Sequence, residues 1–215
     1  MVQRIRNPLN ALQLNLDGLT DELGELNIDS GENVRERLKR IQKGMAELDS
    51  LLCEVLRLTD LPTPQITTIN VNALVAEVQK FLKLESSKNE VTLKLALQQN
   101  LPAAQADPVQ IKQAILSFLL NAIEACRVED SITLATESQR DRIIIKVTDS
   151  GEGIPLDHRD RIFEPFFSTK EGHAGLGLPL ALEIVRAHQG KISFASEVGQ
   201  GTTFFMSLPA RGGAR

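Results

Sequence analysis

The chain has no tryptophan and no tyrosine. A purine pocket in it therefore cannot rely on stacking against either ring. Cysteine is almost as scarce: Cys53 and Cys126 stand alone and far apart. That excludes a zinc ribbon, which needs two ligand pairs, and fits two reduced, packed thiols in the cytosol. No apolar run approaches the roughly 20 residues that span a bilayer, and no signal peptide precedes the first helical pattern, so a cytoplasmic location is expected. The formal net charge of −4 comes without any basic stripe carrying interleaved aromatics, which argues against nucleic acid as a partner. Histidine is rare too, with three in 215 residues, and none of them precedes residue 158.

What is present divides into two parts. Val2, Ile5, Leu9, Leu12, Leu16, Leu19 and Leu23 recur at 3-4 spacing, as do Val34, Leu38, Ile41, Met45, Leu48, Leu52 and Val55. Between the runs lies GELNIDSGEN, rich in turn formers. The pattern predicts an antiparallel helical hairpin bent at Pro8, which removes a backbone donor and crowds the carbonyl of Arg4. Two helices cannot bury both seams well, so a homodimer forming a four-helix bundle is expected, with packing onto the second part of the same chain as the alternative. The prolines of DLPTPQ (60–65) end the hairpin. The expected domains are residues 1–61 and 62–215.

From residue 66 the pattern is mixed. NVNALVAEVQKFLKL has helical periodicity through Leu74, Val75, Val78, Phe81 and Leu82, and VTLKLAL alternates like a strand with one buried face. Asp107-Pro108 offers an N-cap and a first-turn proline to a helix running to about Cys126. Its apolar face carries Ile111, Ile115, Phe118, Leu119, Ala122 and Ile123; Gln110, Gln113, Ser117, Asn121 and Glu124 lie on the other side. Strands are predicted at 131–136, 142–148, 191–196 and 202–208, with a helix near 176–189 stopped by Gly190. Because helices and strands do not alternate as βαβ units, the fold class is α+β, an antiparallel or mixed sheet covered by helices on one face.

Three pieces, two of them glycine-rich, raise the question of chemistry. In VTDSGEGIP a strand ends at Asp149, and Gly151 and Gly153 allow a tight turn close to a ligand. A carboxylate there can accept a hydrogen bond from an exocyclic amino group. RIFEPFFSTK brings three phenylalanines and Lys170, and GHAGLGLPLALEIV places Gly175, Leu176 and Gly177 at the mouth of a helix, where backbone donors and the dipole attract phosphate. Each piece alone is as well explained by ordinary turns and close packing.

Their order and spacing resemble the N, G1, F and G2 boxes of the ATP-binding domain of sensor histidine kinases, within the wider GHKL ATPase group. The opening hairpin resembles the dimerisation and histidine-phosphotransfer domain of the same family. The resemblance runs from IRNPL through LPAAQADPVQIKQAILSFLLNAIEA to GTTFFMSLP. It implies an α/β-sandwich that binds ATP with Mg²⁺. Asn121 would coordinate the Mg²⁺ that bridges the phosphates, and Asp149 would hold the adenine amino group, with Gly151 and Gly153 shaping that pocket. Gly175 and Gly177 would lend amides to the phosphates, Lys170 would add charge, and Phe163 to about Ala174 would be a mobile lid. The implied partners are a response regulator receiver domain or another histidine kinase.

Four positions depart from the family pattern. Ser117 stands where Asn is usual and where hydrolysing relatives carry a water-activating glutamate, so brisk hydrolysis is not expected. Glu124 replaces a common basic phosphate contact. His173 and Ala174 stand where Gly-Thr is common. The fourth departure is the phosphoacceptor box, His-Glu-x-x-Asn-Pro in the family but Gln3-Arg4-Ile5-Arg6-Asn7-Pro8 here. A glutamine amide nitrogen has a delocalised lone pair and cannot attack phosphorus, and the Arg4 cation cannot act as a base. Acceptor and base are both lost, although Asn7 is kept. His158 reads as a solvated residue, His173 as a lid residue near phosphate, and His188 as a partner of its helix C-terminus. The reading is the ATP-binding core of a two-component histidine kinase or a degenerate relative, silent at the usual acceptor. The alternatives are a competent kinase acting on a partner's histidine, an altered or shortened form of an ordinary sensor kinase, and a non-kinase GHKL ATPase.

Overall fold

A computed structural model of the chain describes residues 14, 16–18, 38–44, 61–88, 90–170 and 173–210. The chain divides into two compact units, Met1–Asp60 and Leu61–Arg215. In the first unit the described residues are helical, and Gln42 Nε2 donates to Asp17 Oδ1 at 2.7 Å, joining the two helical runs. Most of the expected hairpin, with Gln3, Arg4, Asn7 and Cys53, lies outside the described residues.

The second unit runs β1 (Thr67–Ile69), α1 (Val71–Lys88), β2 (Thr92–Leu97), β3 (Ala104–Ala106), α2 (Pro108–Ala125), β4 (Ser131–Gln139) and β5 (Arg142–Asp149). A 3₁₀ turn (Leu156–His158), α3 (Gly177–Ala187), β6 (Lys191–Glu197) and β7 (Gly201–Pro209) follow. Five strands form one sheet in the order β2-β4-β5-β7-β6; β2 runs parallel to β4, and every other pairing is antiparallel. The sheet is therefore mixed, one of the two forms expected. β1 and β3 pair antiparallel in a small second sheet that the sequence reading did not anticipate.

Period-two alternation decides which side chains enter the core. Ile132, Leu134 and Thr136 of β4, Ile143, Ile145 and Val147 of β5, and Phe204, Met206 and Leu208 of β7 are all buried. The apolar face of α2 is buried with them. Phe118 of α2 stacks on Phe204 with centroids 5.0 Å apart, Phe204 meets Phe194 at 5.8 Å, and Phe194 meets Phe163 at 6.1 Å. This row of rings carries the segment after the 3₁₀ turn back onto the sheet, each close pair adding about 0.5–1.5 kcal/mol beyond its buried area.

Three expectations about burial fail for identifiable reasons. Phe81 is 74% exposed although Leu82 and Ser86 beyond it are buried, because it lies off the face of α1 that packs through Leu74, Val75, Val78 and Leu82. Leu95 is 40% exposed, because β2 is an edge strand. Gln110, expected on the polar face of α2, is buried, and its Nε2 donates to the carbonyl of Pro62 at 2.7 Å.

The N-terminus of α2 is capped as Asp107-Pro108 predicts. Asp107 Oδ1 accepts from the amides of Val109 and Gln110, and Oδ2 accepts from that of Gln65. Burial pushes the Asp107 carboxyl up, but these backbone donors outweigh it and hold the group below the ordinary range. His188 meets the C-terminus of its helix, as expected, and also bridges to α2. It is buried, its Nδ1 lies 2.7 Å from the Ile184 carbonyl, and its Nε2 accepts from the Asp107 amide at 3.0 Å. This fixes the neutral tautomer protonated on Nδ1 and ties the end of α3 to the start of α2. His188→Ala orphans the Asp107 amide, while the Ile184 carbonyl keeps the backbone amide of residue 188, so it is expected to cost about 1–3 kcal/mol in urea unfolding; an unchanged midpoint would show that the bridge carries no stability.

Candidate functional site

Asp149 is the fourth inward position of β5, where alternation after Ile143, Ile145 and Val147 calls for an apolar residue. Its side chain is 3% exposed. Oδ1 accepts from the amides of Gly151 at 3.0 Å and Thr202 at 3.1 Å, whereas Oδ2 is buried and has no hydrogen-bond partner. A carboxylate with one oxygen tied and the other free is a preset acceptor for a donor brought by a ligand. Burial pushes its acidity down, raising the Asp149 pKa above the ordinary value; the two amides and Lys170 oppose that effect, and the charge of Asp130 reinforces it.

The backbone around Asp149 leaves no room for side chains. A Cβ on Gly151 would lie 2.3 Å from the Ala125 carbonyl oxygen, and one on Gly201 2.0 Å from that of Asp149 itself. Gly201 also has φ of +95°, which a side chain strains. The turn is then pinned from several sides. The Glu152 amide donates to the Ala125 carbonyl at 3.1 Å, and the Ile154 amide to Ser196 Oγ at 2.7 Å. Arg159 donates through Nε to the Ile154 carbonyl and through Nη2 to that of Ser196. Ser196 Oγ sits 2.9 Å from Thr202 Oγ1, closing a ring of polar contacts behind the carboxylate. Cys126 lies at the same end of α2, and burial with the neighbouring Asp149 and Asp130 charges lifts its thiol to about 11. It is therefore a poor nucleophile near neutral pH.

The second half of the site is the junction of α2 and α3. Gly177 opens α3, and a Cβ there would lie 3.8 Å from that of Ser117, so the two helices approach at these residues. Leu176 is buried beneath the turn. Gly175 has φ of +65°, and its carbonyl accepts from the Phe166 amide at 3.1 Å, closing the base of the segment that carries Lys170 and His173. Ser117 Oγ donates to the Gln113 carbonyl of its own helix at 3.2 Å. Asn121 lies one turn further along α2 and is partly exposed. Glu124 follows, 3.4 Å from Lys170 Nζ and 3.3 Å from His173 Nδ1. His158 contacts the Phe167 ring at 5.5 Å and is only partly exposed, so it is not the solvated residue expected.

The structure thus gathers the predicted residues around two neighbouring regions: Asp149, Gly151 and Gly153 in one, and Ser117, Asn121, Lys170, Gly175, Leu176 and Gly177 in the other. Thr202, Gly201, Ser196 and Arg159 escaped the sequence reading. Thr202 was within reach of it, since it shares the inward parity of Phe204 and so comes to lie beside Asp149. No group of three or more potential metal ligands occurs among the described residues. A hard cation here would accordingly be held through Asn121 and a ligand's own oxygens, as Mg²⁺ commonly is with phosphates.

The raised Asp149 pKa makes a signed prediction. The folded state holds this proton more tightly than the unfolded chain, so its contribution to stability is present at acid pH. It is lost as pH rises from the ordinary carboxylate range through the folded value. Asp149→Asn lacks that loss. In urea titrations without ligand, the variant's midpoint should exceed the parent's near neutrality, and the two should converge on acidification. A difference independent of pH would contradict this.

Residues 106–212 match the model of the histidine kinase-, DNA gyrase B- and HSP90-like ATPase family. The sensor histidine kinase ZraS of Salmonella typhimurium is 33% identical over 210 residues, covering 97% of this chain and 44% of that protein. The chain thus spans less than half the length of this curated relative. Full-length ShkA in complex with AMPPNP shares the fold with a TM-score of 0.75 at 23% identity, over 98% of this chain and 46% of that one. Histidine kinase ThkA in complex with response regulator protein TrrA does so with a TM-score of 0.70 at 24% identity, over 98% of this chain and 61% of that one. Residues 106–212 are thus an ATP-binding domain of the sensor histidine kinase type, related to those of gyrase B and HSP90.

Proposed function

We propose that residues 62–215 bind ATP with Mg²⁺ and that the chain signals as a dimer through residues 1–61 without phosphorylating itself at the usual position. The observation that carries the nucleotide reading is Asp149 Oδ2, a buried acceptor left free beside glycines that could bear no side chain. An adenine amino group supplies the donor it lacks, and the glycines let the base approach the backbone. The phosphates would then lie toward the junction of α2 and α3, within reach of the first-turn amides of α3 and of Lys170. Mg²⁺, when bound, neutralises phosphate charge; Asn121 is the side chain that fits it.

Loss of self-phosphorylation rests on chemistry at the first helix. Gln3 offers no nucleophilic nitrogen, and Arg4 cannot take a proton. The catalytic unit keeps its adenine acceptor, its glycines and Asn121, which favours a working nucleotide site behind a silent acceptor. Its output would pass through dimerisation, nucleotide-dependent shape, or contact with a response regulator or another kinase. ThkA bound to its response regulator is the precedent among proteins of this fold. Ser117 speaks against a hydrolysing ATPase. Its hydroxyl already donates to Gln113, and no carboxylate occupies that position to activate water.

The test compares the parent with Gln3→His/Arg4→Glu in γ-labelled ATP and Mg²⁺. Acid-labile label is expected on the variant alone. Label on the parent would overturn the silent-acceptor reading. Absence of label on both, together with no nucleotide binding, would overturn the nucleotide reading as well.

A further inference from the structure

Glu124 brings a negative charge to the place where phosphates would enter. It lies three residues beyond Asn121 on α2, and its two oxygens meet two side chains of the facing segment, the Lys170 ammonium through Oε2 and the His173 imidazole through Oε1. The three side chains are 34%, 25% and 45% exposed, so solvent screens them only in part. Lys170 and Asp130 both reach the Asp149 carboxyl electrostatically, the lysine lowering and the aspartate raising its pKa.

A polyphosphate competes for the same Lys170 ammonium and imidazole donor, and has the same sign of charge as Glu124. Ligand and side chain cannot both hold Lys170 at full strength. We infer, on the reading that this site takes ATP, that Glu124 is a specificity-determining residue. It is a built-in counter-ion that occupies Lys170 and His173 until a polyphosphate displaces it, and it makes entry depend on neutralisation of the phosphates by a divalent cation. The adenine pocket recognises the base whatever its charge. Glu124 grades nucleotides by how much uncompensated charge they bring.

This grading is what a purely structural role would not produce. Glu124→Gln keeps the shape and removes the charge. Binding by the full chain is measured by titration calorimetry with adenosine, ADP and ATP, in chelator and then in excess Mg²⁺. The variant is expected to leave adenosine unchanged, to tighten metal-free ADP modestly and metal-free ATP by about tenfold, and to tighten Mg·ATP less. In a Lys170→Met background the gain for ATP should shrink, since part of it comes from the lysine released. Equal affinities of parent and variant for metal-free ATP would overturn the inference and leave the pair incidental. Weaker Mg·ATP binding by the variant, with metal-free ATP unaffected, would overturn it in favour of Glu124 as a metal ligand. If the parent binds neither adenosine nor ATP, the nucleotide reading itself fails and this inference falls with it, a result distinct from the other two.

Discussion

A carboxylate buried at the end of a central strand governs the second unit. Alternation along β5 drives Asp149 into the same face as Ile143, Ile145 and Val147, where an ionised group loses its hydration. Two backbone amides compensate one oxygen and nothing compensates the other. Fold stability alone would not select such an arrangement. The surroundings make sense as support for it. Gly151 and Gly201 admit the close backbone passes that bring the amides in, Thr202 arrives on the inward register of β7, and Ser196 and Arg159 lock the following turn. The cost falls on the folded chain, and a ligand that donates to the free oxygen would offset it.

Helix α2 connects this floor to the rest of the site and carries a carboxylate near each end, with opposite fates. Asp107 is saturated by amides and tied through its own backbone to His188, so it fixes where the helix begins and where α3 ends. Glu124 is left beside the partly exposed Lys170 ammonium and His173 imidazole. Between them Ser117 meets Gly177, which sets the spacing of the two helices. One helix thus supplies the anchor, the close approach and the charge at the entrance.

The elements with strong local signals were legible in the sequence. Asp107-Pro108 announced α2 and its cap, and alternation announced β4, β5 and β7 to within a few residues. β1 and β3 were not, since three residues such as TTI or AQA carry no period and their pairing is a tertiary event. Phe81 and Leu95 fall in apolar patterns and still face solvent, because sequence does not say how wide the packed face of a helix is or which strand is at the edge. His188 looked like a helix-end residue; only the approach of α2 converts it into a bridge. Of the site, Asp149 and the glycines could be named through a family resemblance. The free state of Oδ2 and the counter-ions of Glu124 follow from packing, which no motif encodes.

The central claim is that Asp149 Oδ2 awaits an amino donor, and competition between ADP and inosine diphosphate tests it most directly. The two ligands share sugar and phosphates and differ at the six position of the base, an amino group against a carbonyl oxygen. The account predicts that ADP binds at least about a hundredfold more tightly, because the carbonyl would leave a buried acceptor facing another acceptor. Equal affinities would contradict it, and would mean that the buried oxygen plays no part in choosing the base.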